Sequence, residues 1–188
     1  MNGRGPASGL HALTAHVPGT GRLQAIVLRG ARLVPAELVD QVEAIAGRGL
    51  QGDHTALRRS ARRQVTLIQA EHLPVIAALT HQVVKPETLR RNLVISGLNL
   101  RAALNPFAGE TMHIHIGTSV VLEATGDCAP CSRMETLLGP GGYNAMRGHG
   151  GLTARVLAGG LLTVGDQVRI VHAATGADVH APPVGHAP

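Results

Sequence analysis

Tryptophan is absent from this 188-residue chain, and the aromatic residues beyond histidine are one phenylalanine and one tyrosine. The core must therefore be built from Leu, Val, Ile and Ala. The same scarcity argues against nucleic-acid binding. The chain carries a net charge of +5, but binding single strands generally also needs aromatic faces on which bases stack. The charge fits a small anionic or phosphorylated ligand better. Cysteine is nearly absent too, with two residues three positions apart. That excludes a disulfide-rich secreted scaffold. No apolar run approaches the roughly 20 residues that span a bilayer. The first 20 residues lack the positive head and apolar run of a signal peptide. A cytoplasmic protein, without membrane association, is the expectation.

Glycine, by contrast, is abundant at 24 residues, which implies many tight turns and short elements. Residues 1–20 show no period and read as a flexible leader. Residues 173–188 read as a loose tail, leaving one domain over 21–172. Within it, strands are expected at 21–29, 39–46, 64–69, 93–95, 112–116, 119–124, 152–157, 161–163 and 167–171. Short helices are expected at 71–79, 86–92, 130–138 and 142–147. Long alternation of strand and helix is missing, which argues against a doubly wound sheet. About eight or nine short strands with glycine-rich turns favour a mainly β fold: a closed or partly closed β-barrel with short inserted helices.

The most informative segment is Asp127-Cys128-Ala129-Pro130-Cys131-Ser132-Arg133. Pro130 suits the first helical position, because it has no amide hydrogen to leave unsatisfied. Cys131 then falls in the first turn, where free amides, the helix dipole and nearby Arg133 favour a thiolate. An activated nucleophile at Cys131 is one reading. Another is bland: Cys131, Met134 and Leu138 share a helical face, and a free cysteine is often a small buried hydrophobe. The Cys-x-x-Cys spacing adds a thiol–disulfide pair, a zinc site completed by His113 and His115, or Cys128 as the resolving thiol of Cys131.

Three further stretches offer donors. Arg147-Gly148-His149-Gly150-Gly151 reads either as a helix stop or as a backbone cradle for an oxyanion, with Arg147 as a phosphate clamp. Residues 47–53, a glycine-punctuated loop ending at Asp53, are similarly open. Arg90-Arg91-Asn92 lies at a helix-to-strand junction. Arg58, Arg59, Arg62 and Arg63 form either a solvated surface run or a basic rim around an anion site. No dinucleotide fingerprint and no phosphate-binding Gly-Lys-Ser/Thr loop is present.

In this order, residues 44–53 (AIAGRGLQGD), Arg90-Arg91-Asn92-Leu93, Pro130-Cys131, Met146 to Gly151, Ala154-Arg155-Val156-Leu157 and Gly165-Asp166-Gln167-Val168 resemble the MOSC domain. That domain ends the molybdenum-cofactor sulfurases and also occurs as small stand-alone bacterial proteins. The resemblance spans about residues 21–172. It implies a β-barrel-like domain with one reactive cysteine, which by its position after proline is Cys131. It further implies either binding of the molybdenum–pterin cofactor (molybdopterin), as in reductases of N-hydroxylated compounds, or transport of sulfur as a persulfide. In the first case Cys131 is the metal ligand. Arg90, Arg91, Asn92, Arg147 and His149 hold the pterin phosphate, with Asp53, Arg133 and Gly150 close by, and an electron-donor protein is the partner. In the second the partner is a pyridoxal-phosphate-dependent cysteine desulfurase. The remaining alternative is a non-catalytic binding module with a structural cysteine. One departure stands out: the family's Gly-Asp is usually followed by a basic residue and then often His, whereas here Asp53 precedes His54-Thr55.

Overall fold

A computed structural model describes residues 6–31, 34–58, 60–107 and 109–173. The strands are β1 (Gly21–Leu28), β2 (Glu37–Val39), β3 (Gln41–Ile45), β4 (Gly49–Leu50), β5 (Val65–Gln69), β6 (Leu93–Ser96), β7 (Met112–Ile116), β8 (Val120–Asp127), β9 (Leu152–Ala158), β10 (Gly160–Thr163) and β11 (Gln167–His172). The helices are α1 (Pro6–Thr14), α2 (His72–Thr80), α3 (Pro86–Leu89), α4 (Ser132–Leu138) and α5 (Gly142–Ala145), with a 3-10 turn at Leu100–Ala103.

Alternation creates the barrel. In β7, Met112, Ile114 and Ile116 are buried while His113 and His115 between them are half-buried on the other face. β9 and β11 repeat the pattern with Leu152, Ala154 and Val156, and with Val168 and Ile170. Side chains two apart share a strand face, so each strand turns one apolar row inward. The large sheet runs β11-β7-β8-β9-β5-β6-β1-β2, and pairing of β11 with β1 closes it, leaving β2 outlying. Closure removes the exposed sheet edges that these strands would otherwise present. A small sheet, β10-β3-β4, stands beside it.

β5 breaks the alternation, with Val65 to Ile68 all buried. Its reason is tertiary. β5 pairs with β6 in parallel, which requires a long crossover, and α2 and α3 lie in that connection. Ile68 and Val94 pack outward against Ile76 of α2, Leu89, Met134 and Leu138 of α4, and Met146. Leu67, Leu93 and Ile95 face the barrel interior. A strand covered on both faces reads as a continuous apolar run.

Several expectations are corrected. The single strand expected at 39–46 is two strands in different sheets, β2 and β3. The loop at 47–53 contains β4, paired with β3. Residues 6–14 of the leader are helical. The His11 ring stacks on Phe107 with centroids 3.8 Å apart and hydrogen-bonds Glu110. Residues 1–5, Arg59 and residues 174–188, hence nearly all of the tail, lie outside the described residues. Among the described residues, no helix is long and apolar enough to cross a membrane.

Candidate functional site

The site begins where β8 ends. The β8–β9 pairing shifts register between Ala124 and Gly126, and such a bulge bends a strand and re-aims the residues beyond it. Cys128 comes next, 1% exposed, then Ala129, Pro130 and Cys131. Helix α4 starts at Ser132, so Cys131 is its N-cap, with extended backbone (φ −127°, ψ 171°). This corrects the expected placement inside the first turn: Pro130 lies before the helix rather than at its first position. The shared apolar face is corrected as well. Met134 and Leu138 are buried, whereas Cys131 is exposed, because the N-cap projects beyond the packed turns. Both thiols are free.

Arg90, Arg91 and Asn92 fan out in three directions. Arg90 caps α3 in the left-handed conformation (φ 56°, ψ 32°), which is uncommon outside glycine. Its Nη1 donates to the Val34 carbonyl at 2.7 Å. Burial pulls its pKa below the ordinary range, and Arg133 and Arg29 push the same way, while Asp53 and Cys131 oppose them. The guanidinium is thus within charge–charge reach of Cys131. Arg91 is buried, and its Nε, Nη1 and Nη2 donate to the carbonyls of Gly150 (2.7 Å), Leu89 (2.9 Å) and Cys128 (3.3 Å). Burial lowers its pKa as well, with Cys128 the largest opposing charge and Cys131 also opposing.

Asn92 points inward, with no exposed surface. Its amide nitrogen donates to the Val27 carbonyl (3.1 Å) and to Asp53 Oδ2 (2.8 Å). Its amide oxygen accepts from Arg29 Nη2 (2.8 Å), Thr66 N and Thr66 Oγ1. Asp53 takes a forked pair from Arg29, Nε to Oδ2 at 2.9 Å and Nη2 to Oδ1 at 3.0 Å. Burial alone would raise the Asp53 pKa. Hydrogen bonds and charge from Arg29, with donors from Thr55, outweigh it and hold the carboxyl at about 2. The departure at 54–55 is thereby accounted for. Thr55 N and Oγ1 donate to Asp53 Oδ1 at 2.9 and 2.6 Å, and His54 Nδ1 lies 3.0 Å from the Arg29 carbonyl.

The nominated residues therefore form two layers. Asp53, Asn92 and Arg91 lie inside, with hydrogen bonds spent on one another, on Arg29 and Thr66, and on backbone. Cys131 and Arg147 are exposed, Arg133 and His149 half-buried, and Arg90 borders the surface. Gly150 and Gly151 serve packing. A Cβ on Gly150 would lie 2.2 Å from the Cys128 carbonyl oxygen, and one on Gly151 1.9 Å from that of Leu67. The His149 ring meets His72 edge-on at 5.2 Å, and burial followed by His149 lowers the His72 pKa.

One residue had no sequence signal: Arg29 follows β1 with no motif around it. Arg63 belongs to the basic run already noted in the sequence, and its Nη2 donates to Cys128 Sγ at 3.4 Å. Arg62 Nη2 donates to the Thr125 carbonyl at 3.2 Å. Residues 62 and 63 thus strap across the end of β8 while remaining exposed, a surface run with two anchored members. The zinc site does not assemble. His113 and His115 pair with Glu123 and Val121 across β7–β8. Among the described residues, no three His, Cys, Asp or Glu side chains are grouped to hold a metal.

Several solved structures are similar to this chain. The YuaD protein from Bacillus subtilis matches with a TM-score of 0.70 and 18% identity, over 85% of this chain and 100% of that one. YiiM from Escherichia coli matches at 0.57 and 20%, over 80% and 69%. YiiM from Geobacillus stearothermophilus matches at 0.59 and 17%, over 84% and 78%. At such identities the likeness shows a shared fold. No curated protein matches the chain. The MOSC domain profile matches residues 51–169, a stretch that holds Asp53, the Arg90–Asn92 triplet, both cysteines and the Gly148–Gly151 turn. This chain is a member of the MOSC domain family.

Proposed function

We propose that this chain binds the molybdenum–pterin cofactor through Cys131 and acts as a reductase of N-hydroxylated compounds. The observation carrying this reading is an exposed thiol set beside buried cations. Arg91 ties down the Cys128 and Gly150 carbonyls beside the head of α4, Cys131 acts favourably on the charges of both Arg90 and Arg91, and the carboxylate near these arginines, Asp53, is bound by Arg29. Burying more positive than negative charge is costly unless an anion joins it. A thiolate and a phosphate together fit that excess, and sulfur is a suitably soft ligand for a thiophilic metal.

In this reading Cys131 Sγ is the protein's metal ligand. Arg90, Arg133, Arg147 and His149, at or near the surface, hold the phosphate. Arg91 braces the loop carrying the cysteines by tying Gly150 and Cys128 to the end of α3. Asp53 and Asn92 hold the floor beneath. When bound, the cofactor supplies the redox chemistry, which the chain orients and screens. A cytoplasmic setting, where free thiols persist, and an electron-donor protein partner belong to the same proposal.

The test is metal and phosphorus analysis of the full chain purified from a cofactor-competent host. Molybdenum and phosphorus are expected in equal amounts in the wild type, with molybdenum lost in Cys131→Ala. Folded wild-type protein free of both overturns the reading.

A second reading rests on a different observation: exposed Cys131 stands three residues after buried Cys128. Here Cys131 is a sulfur carrier. Its thiolate attacks the outer sulfur of a persulfide on a pyridoxal-phosphate-dependent desulfurase. The S–S bond there breaks, and the desulfurase thiolate leaves. Cys128 is the resolving thiol: its attack on the Cys131 sulfur forms a disulfide and expels hydrosulfide. Incubation with such a desulfurase and cysteine should add the mass of one sulfur atom at Cys131, and no adduct there removes this reading. A structural role for Cys131 is disfavoured because its thiol is exposed; Cys128 is the packed one.

A further inference from the structure

We infer that a row of arginines along the end of β8, Arg155, Arg62 and Arg63, is a docking surface for an acidic segment of the electron-donor protein that the proposed reductase requires. The inference rests on that reading and names the face at which its partner approaches.

Three observations lead there. The first is the geometry of the row. Arg155 Nη2 donates to Glu123 Oε2 at 2.7 Å, Arg62 Nη2 to the Thr125 carbonyl at 3.2 Å, and Arg63 Nη2 to Cys128 Sγ at 3.4 Å. Guanidiniums from two segments thus meet one stretch of chain at positions 123, 125 and 128. Those positions span roughly 15 Å when extended, and the row ends three residues before Cys131. All three arginines are exposed. Arg62 and Arg155 line an open groove of about 310 Å³ with Ala61, Glu123, Ala124 and Thr125.

The second is charge. The carboxylates on this stretch are already engaged, Glu123 with Arg155 and Asp127 with Arg101 at 2.5 Å. Arg62 and Arg63 rest instead on a carbonyl and a sulfur, so the row carries an excess of positive charge. A guanidinium has five N–H donors in a planar fork that suits a carboxylate. An arginine anchored through one donor can therefore still present others. A row of this length exceeds a single phosphate and fits several carboxylates on an extended segment. The groove has no aromatic lining on which bases could stack, so it favours an acidic protein over a nucleic acid.

The third is preorganisation. Buried Gln64 donates through Nε2 to the Ser60 and Gly47 carbonyls at 3.0 and 2.9 Å, and its Oε1 accepts from Val156 N at 2.9 Å. Thr125 Oγ1 donates to the Arg62 carbonyl and lies 2.9 Å from Thr153 Oγ1. The backbone carrying all three arginines is thus fixed before docking, and a fixed surface gives up little freedom on binding.

The probe is a fluorescein-labelled peptide of ten glutamates, titrated with the full chain at 50 mM salt and followed by anisotropy. Wild type is expected to bind it. Arg62→Glu/Arg155→Glu should weaken binding about tenfold or more, because attraction becomes repulsion at two contacts. Arg22→Glu/Lys85→Glu makes the same change in net charge on other exposed residues, and should weaken binding by no more than about threefold. No binding by wild type, or equal losses in the two double variants, overturns the inference. So does a labelled ten-residue oligothymidylate that binds as tightly and is lost in the same way. Where Arg62→Glu/Arg155→Glu does not fold by circular dichroism, Arg62→Gln/Arg155→Gln replaces it. A fall of about threefold is then expected, and unchanged binding overturns the inference. The measurement needs no metal. Selective loss in protein that never carries molybdenum would leave the docking surface standing and remove the cofactor reading. Molybdenum-loaded protein without that selectivity would do the opposite.

Discussion

Arg63 donates through Nη2 to the buried sulfur of Cys128 at 3.4 Å, and so covers one thiol of a pair whose other member, Cys131, faces solvent. The two cysteines share a motif but not an environment. Arg63→Ala removes both the donor and the cover. Alkylation of Cys128 is expected to rise by about tenfold or more, while that of Cys131 stays within about twofold. Stability should fall by about 1 kcal/mol for the lost hydrogen bond. Equal labelling of Cys128 in variant and wild type would show that the strap does not protect it.

Asp53 ties the floor of the site to pH. Its pKa in the folded protein, about 2, is below the 3.8 of a free aspartate. Its pairing therefore stabilises the fold fully above about pH 4 and is lost as pH falls toward 2. The difference amounts to about 2 kcal/mol. Urea midpoints measured between pH 5 and pH 2 should drop across that window. Asp53→Asn should flatten this part of the profile and cost about 3–5 kcal/mol at neutral pH, because Arg29 is left buried without its counter-charge.

Arg90→Gly separates conformation from charge. Glycine adopts φ 56° without penalty, which stabilises by up to about 1 kcal/mol. The lost donation to Val34 offsets this by a similar amount. Thermal stability should thus stay within a few degrees of wild type, while molybdenum and phosphorus content falls by more than half. A variant that keeps full cofactor content would remove Arg90 from the anion site.

The glycine turn offers a paired comparison. At Gly151 (φ +81°) a Cβ would collide with the Leu67 carbonyl, whereas at Gly148 (φ +80°) it would meet nothing within 4 Å. Gly148→Ala should cost about 1 kcal/mol, for backbone strain alone. Gly151→Ala should cost more than about 3 kcal/mol or prevent folding, because β5 cannot retreat from it. Chemical denaturation of the two variants checks both. Equal costs would mean the turn has room to shift.

Much of the barrel was legible in the chain. Met112 to Ile116 alternates strictly, and every second residue of that strand faces the core, because strand geometry forces a period of two. Turn glycines marked the ends of most strands for an equally local reason. Cys131 and the Arg90–Asn92 triplet also stood out, as reactive or donor-bearing types at element boundaries. Closure of the barrel, through β1 and β11, was not readable in the same way. Gly21 and Val168 pair across most of the chain's length, and no local pattern encodes that.

The sequence alone determined the types of most barrel elements and the aliphatic core, and its likeness to a family marked Cys131 as the candidate nucleophile, since each of these signals lies in residues near one another in the chain. Only the tertiary structure decided which cysteine is exposed, which of three consecutive residues turns inward, and that Arg29 sits beneath them. Burial and hydrogen-bond partnership are set by segments that meet only once the sheet has closed: Arg29 lies 24 positions from Asp53 and 63 from Asn92. A guanidinium fork joining such distant groups leaves no periodic trace in the order of the amino acids.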